Sequence, residues 1–194
     1  MPLLDRNDSL LIVVDVQERF YGALPDADAE RLALVSDRVA WLGAVATAIG
    51  VPAVVTEEDP ARNGPTVPAI RRALPADVPT LTKPVFGLSD AHEIMAAVEA
   101  TGRRTAVLAG LETDVCVAHS AIGLLDRGYR VVAVTDATFS PGEMHEHGLR
   151  RMAGAGVELL HAKGVYYEWL RTLEAVRALE SARPDLAEPP GFGL

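Results

Sequence analysis

The stretch Thr105-Ala-Val-Leu-Ala-Gly110, continued by Leu111-Glu-Thr-Asp-Val-Cys-Val117, sets the fold. An apolar run of strand length ends in a glycine and passes at once into a segment that reads as the start of a helix. The only cysteine of the chain, Cys116, falls in the first turn of that helix. Unpaired backbone N–H groups and the positive end of a helix dipole favour thiolate over thiol there, which points to a nucleophile. A small buried apolar residue is the plainer alternative, because Val115 and Val117 flank the sulfur and free cysteine packs well in cores.

The same strand-then-helix pattern repeats on both sides. Ser9-Leu-Leu-Ile-Val-Val-Asp15 is a continuous apolar run closed by a carboxylate, as expected for a strand buried on both faces. Residues 28–50 carry apolar side chains at helical spacing, with Gly50 as a C-terminal stop. Strands are expected over 52–56, 80–82, 105–110, 130–136 and 157–161, and helices over 89–100, from the cysteine to about 127, over 143–155 and over 166–181. Residues 57–68, broken by Pro60, Gly64, Pro65 and Pro68, read as a long loop. Six strands alternating with helices predict an α/β fold, a three-layer α/β/α doubly wound parallel sheet of Rossmann-like type. One domain is expected over 1–181, with 182–194 as a tail that is loose or lies on a neighbouring subunit.

Composition narrows the function. The 194 residues carry a formal charge of −9 and no basic stripe, which argues against nucleic acid and anionic membrane as partners. A small-molecule substrate is expected instead. One cysteine excludes an internal disulfide and a multi-thiolate zinc site, and a free thiol suits a reducing compartment, so a cytoplasmic location is expected. No apolar run approaches the roughly 20 residues needed to span a bilayer. Of the 18 basic residues only Lys83 and Lys163 are lysine, and a lysine kept where the chain otherwise uses arginine marks a place suited to a compact ammonium.

In a doubly wound sheet the ligand crevice lies at the carboxyl ends of the strands, where the winding reverses. Three reactive side chains stand at such ends: Asp15, Lys83 and Cys116. Taken singly, Asp15 could cap a turn and Lys83 could be an ordinary solvated lysine. Together they form the thiol, cation and carboxylate that a cysteine hydrolase needs. Phe20, Phe86 and Phe139, each near a strand end, are candidate pocket walls, with ordinary core packing as the alternative. His119, three residues past Cys116, is a further candidate at helical spacing. His145 and His147 with Glu143 and Glu146 read as a polar helix surface, and Glu57, Glu58 and Asp59 as a solvated acidic loop that could attract a hard cation.

Leu11-Ile-Val-Val-Asp-Val-Gln17, Lys83-Pro-Val-Phe86, Ala109-Gly-Leu-Glu-Thr-Asp-Val-Cys-Val117 and Tyr129-Arg-Val-Val-Ala-Val-Thr-Asp-Ala137 resemble the isochorismatase-like cysteine hydrolase superfamily over roughly residues 5 to 165. That superfamily includes nicotinamidases, N-carbamoyl amide hydrolases and members without an assigned substrate. The resemblance implies a catalytic triad of Asp15, Lys83 and Cys116. It also implies a cis peptide between Leu111 and Glu112 and an oxyanion hole from the N–H groups of Glu112 and Cys116, together with a homo-oligomeric state. Nicotinamidases of the superfamily hold a metal with an aspartate and histidines after the second strand, whereas residues 57–72 here contain no histidine. The expectation is therefore an amidohydrolase with no metal and no cofactor, cleaving an amide-like C–N bond. The alternatives are an idle oligomeric scaffold of the same fold, or an isochorismatase-type hydrolase acting on a non-amide substrate.

Overall fold

A computed structural model describes residues 2–194. Six parallel strands form one sheet: β1 (Ser9–Val14), β2 (Ala53–Glu58), β3 (Thr80–Lys83), β4 (Thr105–Leu111), β5 (Arg130–Phe139) and β6 (Glu158–Leu160). Their spatial order is β3-β2-β1-β4-β5-β6. The chain starts in the middle, winds to one edge, crosses back to β4 and winds to the other edge, so the reversal falls between β1 and β4.

Helices cover both faces. On one, α1 (Asp26–Ile49) and two C-terminal helices pack over Leu11, Val13, Val55, Val107 and Val132. On the other, α4 (His92–Ala100), α5 (Ala118–Asp126) and α6 (Met144–Ala155) pack over Leu10, Ile12, Val54, Ala106 and Val131. Alternate residues of β1 thus feed opposite cores, which is why the strand reads as unbroken apolar sequence. Gly50 ends α1 in the left-handed conformation, as expected. By length and composition α1 is long and apolar enough to cross a membrane, although charged residues interrupt its apolar sequence. Val35, Val39, Leu42 and Val45 bury its apolar side in the first core, so it packs as a core helix.

Four departures from the sequence reading have physical causes. The expected loop after β2 contains α2 (Pro60–Asn63) and leads into α3 (Pro68–Ala73), because each proline sits in a first turn, where its missing N–H costs nothing. The cysteine helix opens with a π turn over Thr113–Val117 before α5 begins. The last helix is two, α7 (Ala162–Leu170) and α8 (Leu173–Ala182), parted at Arg171 with φ 67° and restarted by the Thr172 hydroxyl accepting from the Ala175 N–H at 3.1 Å. β5 runs on to Phe139 by skipping register: Leu108 pairs with Ala133, but Gly110 pairs with Thr138. The excursion carries Asp136, whose Oδ1 accepts from the Ala162 N–H at the start of α7 at 2.7 Å.

The tail expected to be loose or to lie on a neighbour lies on its own chain. Leu186 is buried and its carbonyl accepts from Trp41 Nε1 at 3.0 Å. The Phe192 ring packs edge-on against Trp41 with Arg38 over its face, and Lys163 donates to the Gly193 carbonyl at 2.6 Å. Trp41, Arg38 and Lys163 hold a segment that has no periodicity of its own.

Where the winding reverses, β1 and β4 approach so closely that only glycine fits. Gly110 has φ +128°, and a Cβ there would lie 2.0 Å from the Val14 carbonyl oxygen. Gly110→Ala is expected to destabilise the fold by about 3 kcal/mol or more, combining backbone strain with overpacking against a neighbouring strand. Gly154→Ala, in an exposed turn of α6 with nothing near its Cβ, is expected to stabilise by about 0.5–1 kcal/mol. Urea denaturation of the two variants checks both signs.

Candidate active site

Asp15 follows β1 in a left-handed conformation, φ 51°, with its N–H on the Thr56 carbonyl of β2 at 3.1 Å. The Thr56 hydroxyl donates to Asp15 Oδ1 at 2.7 Å. Lys83, the last residue of β3, reaches over the end of β2, and its Nζ stands 3.0 Å from Asp15 Oδ2. Both side chains are fully buried. Oδ2 receives no hydrogen bond of good angle, so the contact is an ion pair. The ammonium also donates to the Val85 carbonyl at 2.6 Å and to Cys116 Sγ at 3.5 Å. Three short contacts converge on one small cation, an arrangement a planar guanidinium could not serve. The retained lysine is thus accounted for, and Lys163 by its hold on the tail.

The structure therefore brings Asp15, Lys83 and Cys116 together. It adds a residue that the sequence reading left in a solvated loop. Glu58, at the end of β2, accepts the Cys116 thiol through Oε2 at 3.2 Å and lies 3.8 Å from the Lys83 ammonium. Its backbone is pinned from both sides, the N–H on Gln17 Oε1 at 2.8 Å and the carbonyl accepting from Asn63 Nδ2 at 2.9 Å. Gln17 itself donates to the Gly64 carbonyl at 2.6 Å, which gives the glutamine of the Asp-Val-Gln element a positioning task. The signal for Glu58 was the two-residue extension of β2, invisible without its pairing to β3.

Burial dominates the electrostatics. It raises the Asp15 pKa above the usual carboxylate value, against the opposing pull of Lys83 and the Thr56 hydrogen bond. It also raises the Cys116 thiol, helped by Asp15 and Glu58 and opposed by Lys83. The expectation of a favoured thiolate is corrected here: burial and two carboxylates shift the Cys116 thiol towards its protonated form despite one ammonium and a helix start. Asp15, Glu58 and Cys116 bring one ligand atom each within 4.8 Å of one another. The Lys83 ammonium already stands among those three atoms and supplies the positive charge a cation would bring.

Cys116 opens onto a cavity of about 250 Å³. Phe20, Tyr21 and Phe86 supply its rings, and Glu58, Glu112 and Arg62 its charged groups. Tyr21 donates to Glu112 Oε1 at 3.0 Å. The Leu111–Glu112 peptide is cis, and both Glu112 and Cys116 line the cavity. The π turn that carries the cysteine is clamped by α6. There His145 Nδ1 meets the Thr113 hydroxyl at 2.9 Å, and Gly148 packs so tightly that a Cβ would lie 2.6 Å from the Asp114 nitrogen.

Three sequence expectations are corrected. Phe139 is fully buried in the core behind Tyr21, ring centroids 5.7 Å apart, and does not line the cavity. His119 is exposed and lines a separate cleft with Ser89 and Asp126, its ring edge-on to Phe86 at 6.2 Å. The π turn breaks the 3.6-residue phase on which a contact with Cys116 depended. His145 is buried rather than on a polar surface, and burial lowers its pKa.

Comparison with known proteins shows the family and the fold. The isochorismatase domain model matches residues 9–163, from β1 into α7. The probable hydrolase YcaC of Escherichia coli is 30% identical, with 92% of this chain and 87% of that protein covered. Its crystal structure, of an octameric hydrolase of unknown specificity, superposes with TM-score 0.80 at 28% identity over 96% of this chain and 93% of that one. YcaC from Pseudomonas aeruginosa, solved with hexane-2,5-diol and covalent acrylamide, gives TM-score 0.79 at 28% identity, covering 95% and 94%. Isochorismatase domain-containing protein 2 of Xenopus laevis is 29% identical over 98% of this chain and 90% of that protein. A domain match through all six strands, on a sheet wound in the same way and with a cysteine at its reversal point, makes this chain a member of the isochorismatase-like hydrolase superfamily.

Proposed function

We propose that this hydrolase cleaves an amide-like C–N bond of a small molecule through a thioester on Cys116, without a metal. One observation carries the reading: a thiol that lines a cavity touches an ammonium, and that ammonium touches a buried carboxylate, at 3.5 and 3.0 Å. Asp15, made more basic than an ordinary carboxylate by burial, takes the thiol proton as sulfur bonds to the carbonyl carbon. Lys83 offsets the charge that develops on sulfur. The carbonyl π pair moves to oxygen, which the N–H groups of Glu112 and Cys116 hold. The oxyanion collapses, the C–N bond breaks, and Asp15 returns its proton to the departing nitrogen. Water then gives a proton to Asp15 and attacks the thioester; the C–S bond breaks and the sulfur regains its proton.

Covalent acrylamide in the P. aeruginosa relative supports the nucleophile in this reading, because acrylamide takes up a nucleophile at its vinyl β-carbon. Lys83 at the centre of the carboxylate and thiol group supports the metal-free form. The octameric E. coli relative supports a homo-oligomer for this chain.

Ammonia release from a panel of primary amides, carbamoyl amino compounds and nicotinamide tests the reading. Turnover of at least one compound is expected; Cys116→Ser should abolish it, and Asp15→Asn should lower it by roughly 10² or more. A chelator should leave it unchanged. Loss of activity on chelation with recovery on added zinc would overturn the metal-free mechanism. Light scattering is expected to give a multiple of the 20.7 kDa protomer mass; the protomer mass itself would contradict the oligomer.

A further inference from the structure

The charges around the cavity over Cys116 do not balance. Lys83 is fully buried and already engaged by Asp15 and the Val85 carbonyl. Glu58 and Glu112 both line the cavity, and the one cation that lines it with them, Arg62, is an exposed side chain. Glu58 Oε2 has only the thiol at 3.2 Å and the ammonium at a long 3.8 Å. Glu112 takes a neutral partner, the Tyr21 hydroxyl. Its pKa is raised by burial first, and further by the neighbouring carboxylates Asp114 and Glu58. A cation in the cavity would relieve that repulsion, and an anion would add to it.

The walls agree with the charges. Phe20, Tyr21 and Phe86 line the same space, and an aromatic face attracts a cation through its quadrupole. A second, larger cavity of about 520 Å³ shares Glu58 and Phe86 with the first, so one carboxylate and one ring stand where the two meet. The Glu58 N–H donating to Gln17 and its carbonyl accepting from Asn63 fix Glu58 in that place.

We propose that Glu58 is a specificity-determining residue, and that the substrate carries a cationic nitrogen, such as an ammonium group, which Glu58 and Glu112 bind against the aromatic walls beside Cys116. This rests on the reading of Cys116 as the nucleophile and goes beyond it by naming the charge of the substrate. When such a cation engages Glu58, it competes with the thiol for the carboxylate, so binding also frees the sulfur to react.

The test needs no known substrate. Two methanethiosulfonates, one with a trimethylammonioethyl group and one with a sulfonatoethyl group, each transfer their thioalkyl group to a thiol and release methanesulfinate. Their rates of Cys116 modification are followed by intact mass, and the ratio is divided by that for 2-mercaptoethanol to remove intrinsic reactivity. The normalised ratio is expected to favour the cationic reagent by about tenfold or more in the oligomeric protein at low salt. It should fall severalfold in Glu58→Gln and rise in Arg62→Ala, an exposed position where folding is not at stake. A normalised ratio near one, or in favour of the sulfonate, overturns the proposal while leaving the cysteine hydrolase intact. A preference that is unchanged in Glu58→Gln removes Glu58 from it. The raised thiol makes both reactions slow; no reaction with either reagent over hours at pH 9, long enough for a small thiolate fraction to be consumed, would show a sulfur closed off from the cavity, and both readings would fall together.

Discussion

A buried ion pair between Asp15 and Lys83 is the constraint on which the rest of the site depends. Neither side chain touches solvent, and taking two charges out of water costs several kcal/mol per ion unless they meet. Their meeting requires the ends of β1, β2 and β3, neighbours on one side of the sheet reversal, to lie at one level. β1 must stop at Val14 so that Asp15 can turn into a left-handed conformation, and β2 must run on far enough to offer Thr56. β3 must end in a side chain long enough to cross β2. The absence of a side chain at Gly110 lets β4 close against β1, which puts the following π turn and its cysteine within reach of the ammonium. Removing either charge would leave the other buried alone, which is a larger loss than the pair's own contribution.

Much of this was legible in the chain. Continuous apolar runs separated by helical periodicity carry the strand count and the doubly wound class, because strands of a parallel sheet are buried on both faces. Asp15, Lys83 and Cys116 were found by their place at the ends of such runs, and Lys83 also by standing out in an arginine-rich chain. Glu58 was not found: an acidic triplet after a short strand looks like a solvated loop until pairing with β3 shows that the strand continues. His119 and Phe139 were misplaced because each depends on local geometry that sequence spacing does not encode, a π turn in one case and a register skip of β5 in the other. The tail was unreadable for a related reason. Its order comes from Trp41, Arg38 and Lys163, all distant in sequence.

The electrostatics change how the site should be thought of at rest. A helix start and an ammonium argue for thiolate, yet burial and two carboxylates outweigh them. Burial and the carboxylates push the Cys116 thiol towards its protonated form, so in the proposed mechanism the thiolate forms as a substrate arrives to disperse the charge. A raised thiol reacts slowly with electrophiles at neutral pH, because the anion is the reactive form of cysteine.

Direct titration of the thiol is the sharpest test of this account. Ultraviolet absorbance of the thiolate, followed against pH with Cys116→Ser as the blank, reports the sulfur alone. A midpoint above the ordinary thiol value of 9.0 is expected, because the buried site favours the protonated form. Glu58→Gln should move it to lower pH, since removing a carboxylate removes a cause of the rise, and Lys83→Met should move it to higher pH. A midpoint below about 7 in the unaltered protein, in the range of preformed thiolates at helix starts, would contradict the account.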